Sequence, residues 1–307
     1  MLSIVINFFN NRREAANSLH ALTRRYQRLR DDFAYEVIVL DHGSTQPLDA
    51  AQVRAFGPQF HYRYVETREV SPVRAINAAC RAAAGERIMV IIDGAHIVSP
   101  GMIRHSERAF AAFDHPFVAS VPFHLGPKVQ NQSIKEGYGQ QSEDAMLQRL
   151  GWKDDGYRLF AAAGSFADGS LGWFGSLFES NCFALRKSDY DTLGGYDERF
   201  QSRGGGLVNL EFFQRAIARD DLEYVLLLGE GTFHQFHGGV ASNAPVDKSP
   251  WDEFHAEFVR ITGWNFGRML RRPFYLGALP EQAQTAHRFS MNHGIEFWQS
   301  LQRGRPA

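Results

Sequence analysis

The chain is short of cysteine, of excess charge and of long apolar runs, and each shortage excludes something. Cys80 and Cys182 are the two cysteines in 307 residues, too few for a disulfide framework or a thiolate zinc site. They read as buried free thiols of a reducing compartment, which makes the expected location cytoplasmic. Lys and Arg number 33 against 34 Asp and Glu, a net charge of −1. Such a chain lacks the positive field that wraps phosphate backbones, so bulk nucleic-acid binding is excluded. The apolar runs at 88–92 and 224–228 are strand-length, far below the roughly 18 residues that cross a bilayer. The opening Met1-Leu-Ser-Ile-Val-Ile6 has no basic region or small-residue cleavage site, so it reads as a first strand rather than a signal peptide.

What is present is apolar and aromatic. Hydrophobic residues make up 44% and aromatics 13%, with 25 Phe, enough to offset the entropy of folding and to exclude disorder over most of the length. The length allows one large domain or two small ones.

The first hundred residues alternate strand and helix. Ser3 to Phe8 is a β-branched apolar run, and Ala15, Leu19, Leu22, Tyr26 and Leu29 then fall on one helical face. Glu36 to Leu40 is a second strand, residues 61–65 a third, and 88–92 a fourth. Between the last two, Ser71-Pro72 suits an N-cap and first helical position, with a helix running to about Gly85. This order predicts a mostly parallel central sheet with helices on both faces. Ligands of such sheets bind beyond the carboxyl ends of the strands, where the polar segments 7–11, 41–45 and 93–96 fall. Residues 123–178 have weak periodicity and read as long loops over a site. Helical spacing returns at 207–217, another strand at 223–228, and helices at 251–261 and 281–303, giving a C-terminal helical extension.

Several residues could carry chemistry. Asp41, at a strand end before Gly-Ser-Thr, either accepts hydrogen bonds from a base or ribose or caps a turn. Asp93 follows Ile91-Ile92 and could hold a divalent cation with His96, or simply form an Asp-Gly turn. Gly204-Gly-Gly206 has neither the Lys-Ser/Thr of a P-loop nor the spacing of a dinucleotide fingerprint. Glu211 on the next helix is either a general base or a solvated carboxylate. His234 and His237 follow a strand; if the segment stays extended they point to opposite faces and only one joins a ligand set. Trp152, Tyr157, Trp173 and Phe174 either offer flat apolar faces to an acceptor or pack within loops.

Taken in order, these segments resemble the inverting family 2 glycosyltransferases of the GT-A fold. Ser3-Ile-Val-Ile-Asn-Phe-Phe-Asn10 is similar to the family's opening strand, and Glu36-Val-Ile-Val-Leu-Asp-His-Gly-Ser-Thr45 to its Val-Val-Asp-Asp-Gly-Ser-Thr. Ser71-Pro-Val-Arg-Ala-Ile-Asn77 and the strand reaching Asp93 resemble its Ala-Arg-Asn helix and the approach to Asp-x-Asp. Residues 181–200, with Gly194-Gly-Tyr-Asp-Glu-Arg-Phe200, resemble its acceptor-side strand and turn. The resemblance implies a GT-A domain over 1–240, nucleotide-binding to about 100 and acceptor-binding beyond, with 241–307 a helical extension packed on it. It implies a donor nucleotide, uridine-linked, with Asp41 on the base, Asn10 and Arg74 nearby, and Asp93 at the ribose and metal. His234 or His237 corresponds to the family's late histidine. An acceptor hydroxyl on a carbohydrate or lipid-linked carbohydrate, a role in surface polysaccharide or glycoconjugate synthesis, and a peripheral membrane contact also follow from the resemblance. The oligomeric state stays open.

Two departures bear on mechanism. Asp-x-Asp appears as Asp93-Gly-Ala-His96, so the second Asp is Ala95. Either His96 and a late histidine make a softer site for Mn2+ over Mg2+, or positive side chains replace the cation. The family's Glu-Asp-x-Asp appears as Val208-Asn-Leu-Glu211, and alignment back from Arg215 makes Glu211 the candidate base. The alternative from another class is a GT-A domain that has lost transfer and serves as a nucleotide-sugar-binding module.

Overall fold

The computed structural model describes residues 1–163, 165–166, 170–239, 250–267 and 271–303. The expected domain boundary at 240/241 lies outside them. In chain order the elements are β1 Leu2–Phe8, α1 Arg12–His20, β2 Tyr35–His42, α2 Ala50–Arg54, β3 Phe60–Val65, α3 Val73–Ala82, β4 Arg87–Ile91 and β5 His96–Val98. There follow α4 Met102–Ala112, β6 Pro116–His124, α5 Gln130–Ser133, α6 Gln140–Leu150, β7 Ser165–Phe166, β8 Cys182–Arg186 and α7 Lys187–Leu193. The remainder are α8 Val208–Ile217, β9 Glu223–His234, α9 Trp251–Thr262, β10 Phe274–Gly277 and α10 Gln284–Arg303.

The strands form one sheet in the order β10-β9-β6-β8-β4-β1-β2-β3, with β5 on β9 and β7 on β6. β3, β2, β1 and β4 are parallel, as are β6, β9 and β10, while β8 runs antiparallel between the two groups. The expected α/β architecture with a mostly parallel sheet is therefore present. β1 is buried at every position, the pattern of a strand covered on both faces. Among the described residues no helix is long and apolar enough to cross a membrane.

Four local expectations change. The first helix stops at His20 rather than running to residue 29, because Thr23 Oγ1 donates to His20 O and Gln27 Nε2 to Ala21 O. These side chains take carbonyls that a longer helix would use. Ser71 does not cap α3; its hydroxyl donates to Phe200 O at 2.7 Å, and Pro72 holds the cap position. Residues 123–178 are not all loop, since α6 lies within them, and the C-terminal extension is not only helical, since it adds β10 to the sheet.

The Gly194-Gly195 turn shows how the second group of strands is fixed. Asn77 on α3 accepts from Tyr190 OH and Tyr196 N, and donates to Tyr196 O at 2.8 Å. Gly195 has φ +69°, and a Cβ there would come within 2.7 Å of Asn77 Oδ1, so the turn needs glycine on both counts.

A buried carboxylate pins α4 to β9. Glu230 accepts from Ser99 Oγ, from Gly101 N at 3.0 Å and from Tyr157 OH at 2.7 Å. Burial raises its pKa against the opposing pull of those hydrogen bonds. A carboxyl whose folded pKa is raised loses stability as pH climbs from the unfolded value through the folded one. Glu230→Gln should therefore gain melting temperature relative to the parent as pH rises, the difference closing below pH about 4 where both side chains are neutral. A difference independent of pH in thermal melts would contradict this.

Candidate active site

β1, β2 and β4 lie side by side and parallel, so the segments after them open on one rim. β9 brings a fourth segment there, pairing His234 with His96 in β5 and with His124 in β6.

Asp93 is the meeting point. Its Oδ2 lies 3.4 Å from His234 Nε2, 3.4 Å from His237 Nε2 and 3.9 Å from His96 Nδ1. The two Nε2 atoms are 3.1 Å apart. Gly94 lets the chain pass beneath β1, because a Cβ there would come within 2.2 Å of the Phe8 ring.

The hydrogen bonds fix which nitrogens carry protons. Gln130 Nε2 donates to His234 O at 2.8 Å and to Leu125 O at 3.4 Å. Its oxygen therefore faces His234 Nδ1, 2.8 Å away, which must be the N–H. His234 Nε2 is left as a lone pair directed at Asp93 and His237, the arrangement of a metal-ligating histidine steadied through its other nitrogen. His96 differs: its Nδ1 donates to the Asp93 carbonyl at 3.1 Å, and its Nε2 is buried with no hydrogen-bond partner among the described residues.

Charge follows the same geometry. Burial, then the neighbouring His234, pushes His96 down to about 3, and burial lowers His234 too. At His237 burial works against the charge, but the Asp93 carboxylate outweighs it and the pKa is raised. At Asp93 burial is likewise outweighed, by the charge on His237 and the hydrogen bond it gives, so its pKa lies well below the usual carboxylate range. A proton on His237 thus bridges Asp93 and His234.

The donor atoms of Asp93, His234 and His237 lie within 4.8 Å of one another and fit a cation. Two imidazoles and one carboxylate suit Mn2+ or another transition metal better than Mg2+, which prefers oxygen. The expectation that His234 and His237 point apart is corrected. β9 ends at His234, and the chain then bends so that both rings reach Asp93. Ala95 is buried, and its carbonyl accepts from Gln235 N, which ties the residue after β9 to the turn that carries Asp93.

The other rim residues are distributed along β1, β2 and α3. Asp41 is fully buried; Oδ2 accepts from Leu48 N and Tyr62 OH, while Oδ1 has no partner among the described residues. Asn10 has φ +55°, and its Oδ1 accepts from Thr45 N and Gln46 N, tying β1 to the turn after β2. Arg74, on the first turn of α3, pairs with Glu69 and Glu198. Phe9, not singled out by the sequence, is 53% exposed while Phe8 is buried. Phe9 lies one residue past the end of β1, in the bend that follows it, beyond the layers that bury the strand on both faces.

Residues 3–167, just over half of the chain, match glycosyl transferase family 2. The chain is a member of this family. No curated protein matches the sequence significantly. Among solved structures, TarS residues 1–349 of S. aureus in complex with UDP-GlcNAc is similar at a TM-score of 0.50 and 12% identity, covering 97% of this chain and 72% of that one. A longer S. aureus TarS structure aligns at 0.47 and 12%, over 96% of this chain and 44% of that one, so the present chain spans less than half its length. The mannosyltransferase PcManGT of Pyrobaculum calidifontis, in complex with GDP-Man and Mn2+, aligns at 0.46 and 13%, over 100% and 76%.

In this family 2 glycosyltransferase, Glu211 is held in a fork. Arg215 Nε donates to Oε1 at 2.7 Å and Nη2 to Oε2 at 2.9 Å, while Arg215 also reaches Gly195 O. A second carboxylate, which the sequence did not single out, stands nearer the rim. Glu179 Oε2 accepts from Asn209 Nδ2 at 2.7 Å, and Asn181, two residues on, accepts through its carbonyl from Ile92 N beside Asp93. Trp152 and Trp173 are core residues rather than exposed faces. Tyr157 spends its hydroxyl on Glu230, and Phe174 is half-buried.

Proposed function

We propose that the chain transfers a sugar from a nucleotide diphosphate sugar, uridine-linked, to a hydroxyl of a carbohydrate or lipid-linked carbohydrate, with inversion. The observation that carries the reading is Asp93 flanked by two imidazole nitrogens at the carboxyl end of β4, on the rim that also carries Asp41 near the end of β2 and Phe9 just past β1. The unpartnered Asp41 Oδ1 suits an N–H of a base, and the exposed Phe9 ring suits its flat face. Asn10 and Arg74 flank this nucleotide end.

A divalent cation held by Asp93, His234 and His237, with His96 beside them, would neutralise charge on the departing diphosphate. The chain's own residues orient the donor and take the proton. The acceptor oxygen bonds to the anomeric carbon as the bond to the diphosphate oxygen breaks, its electron pair leaving with the phosphate. The hydroxyl proton passes to a carboxylate. Glu211 is the base implied by family alignment; Glu179 is the second candidate, favoured by its place beside the end of β4 and by the Arg215 fork on both oxygens of Glu211.

Calorimetry with UDP and with GDP, with and without Mn2+, and a donor-hydrolysis and transfer assay test the reading. Nucleotide binding with turnover is expected, and binding without turnover under any metal would favour the lapsed binding module. Glu179→Gln and Glu211→Gln, assayed separately, divide the two bases: loss of the base costs about 10²–10⁴-fold in kcat with donor affinity kept.

A further inference from the structure

The segment that delivers His237 is held through both backbone polar groups of a single residue, Phe236. Phe236 N–H donates to both oxygens of Glu143, at 2.9 and 3.1 Å, and Phe236 O accepts from Arg13 Nη2 at 2.9 Å. Arg13 and Glu143 are themselves paired at 2.6 Å, with Glu143 fully buried and Tyr138 OH donating to its other oxygen at 2.8 Å. Arg13 also reaches Glu14 and Asp144. One residue earlier, Gln235 N donates to Ala95 O, its Nε2 donates to Ser18 Oγ, and its Oε1 accepts from Asn17 Nδ2. The chain after β9 is therefore stapled to α1 through Gln235 and to α1 and α6 together through Phe236. His237 is the next residue, and its Nε2 reaches Asp93.

We propose that the part-buried Arg13–Glu143 pair is a positioning device that presents His237 to Asp93, so that α6, carried by the insertion between β6 and β8, completes the cation and diphosphate site. The inference rests on the proposed function for what the site binds, but not for the placement of His237. A negative group on the N–H and a positive group on the C=O of one residue, bonded to each other, hold the two peptide planes that flank Phe236 and so fix its φ and ψ, which set the direction in which His237 leaves. A strand that simply continued would turn His237 to another face. Gln130 does for His234 what this pair does for His237, and it too comes from the insertion.

The test is Mn2+ affinity by calorimetry on full-length Glu143→Ala, Glu143→Gln and Arg13→Lys, with crystal structures of the variants. Glu143→Ala is expected to weaken Mn2+ binding by about 10–100-fold, the range for groups that orient metal ligands, with His237 displaced from Asp93. Glu143→Gln keeps an acceptor for Phe236 N–H and should recover much of the loss. Asp144→Asn, which removes an exposed partner of Arg13, should change nothing. An ordinary structural ion pair would lower the melting temperature while leaving metal affinity and the His237 position intact below it. The proposal is overturned if folded Glu143→Ala keeps the parent's Mn2+ affinity within about threefold or keeps His237 in place. If Glu143→Ala does not fold, Arg13→Lys, which has one ammonium in place of the guanidinium fork that bonds Glu143 and Phe236 O, carries the same readouts, with weakened Mn2+ binding and a displaced His237 expected and the parent's affinity and His237 position overturning the proposal. If the parent itself binds no Mn2+, the cation reading fails, and the His237 position alone decides the clamp.

Discussion

Asp93→Asn should lower kcat/KM for sugar transfer by about 10²–10³-fold, the usual effect of removing one group that stabilises developing charge, while the protein stays folded. Asp93 Oδ2 is the atom that His234 and His237 share. Asparagine keeps the shape and the acceptor oxygen but removes the negative charge that raises the His237 pKa. The neighbouring imidazoles would then lack the carboxylate that makes the set attractive to a cation. Asp93 is 32% exposed, so the loss should appear in chemistry and metal binding more than in melting temperature. Steady-state kinetics with circular dichroism as the folding control decide it. Activity within about threefold of the parent would remove Asp93 from the charge-stabilising role.

Trp173→Ala should be the costliest single change in the core, about 3–5 kcal/mol of unfolding free energy. The indole is fully buried, its N–H donates to Glu230 O at 3.0 Å, and its ring packs 5.6 Å from both Phe123 and Phe160 and 5.4 Å from His287 on α10. It joins β6, the residues after α6 and the C-terminal helix. Truncation leaves a large void and one lost hydrogen bond, with little room to collapse between sheet and helix. Urea denaturation measures the loss. A cost below about 1 kcal/mol, or an acceptor KM change at unchanged stability, would restore the reading of Trp173 as an acceptor-facing surface.

Those two residues mark the boundary of what the sequence discloses. Asp93 was legible because a carboxylate ending an apolar run in an alternating chain falls on the ligand rim whatever the rest does. The strands β1, β2 and β4 and helices α8 and α9 were legible for the same reason, periodicity being local. Trp173 was misleading, since an aromatic among glycines and serines looks exposed until the packing partners, more than a hundred residues away at His287, are known. The convergence of His234 and His237 was illegible because it depends on how the chain bends after β9, where Phe236 is held by Arg13 and Glu143, both distant in sequence. β6 and β10 were missed because neither carries clear alternation.

Among the described residues the sheet ends at β10 and β3, and these two edges bear on solubility rather than catalysis. β9 is a long, almost wholly buried strand, and left bare it would offer a row of amides to another molecule. β10 covers part of that flank and becomes the edge itself, four residues long, closed by Gly277 at φ +137° and bracketed by Pro273 and Pro280. At the opposite margin β3 carries His61 and Arg63. Short, kinked and charged borders discourage strand addition, so the C-terminal extension serves as a guard against self-association of the sheet that holds His234.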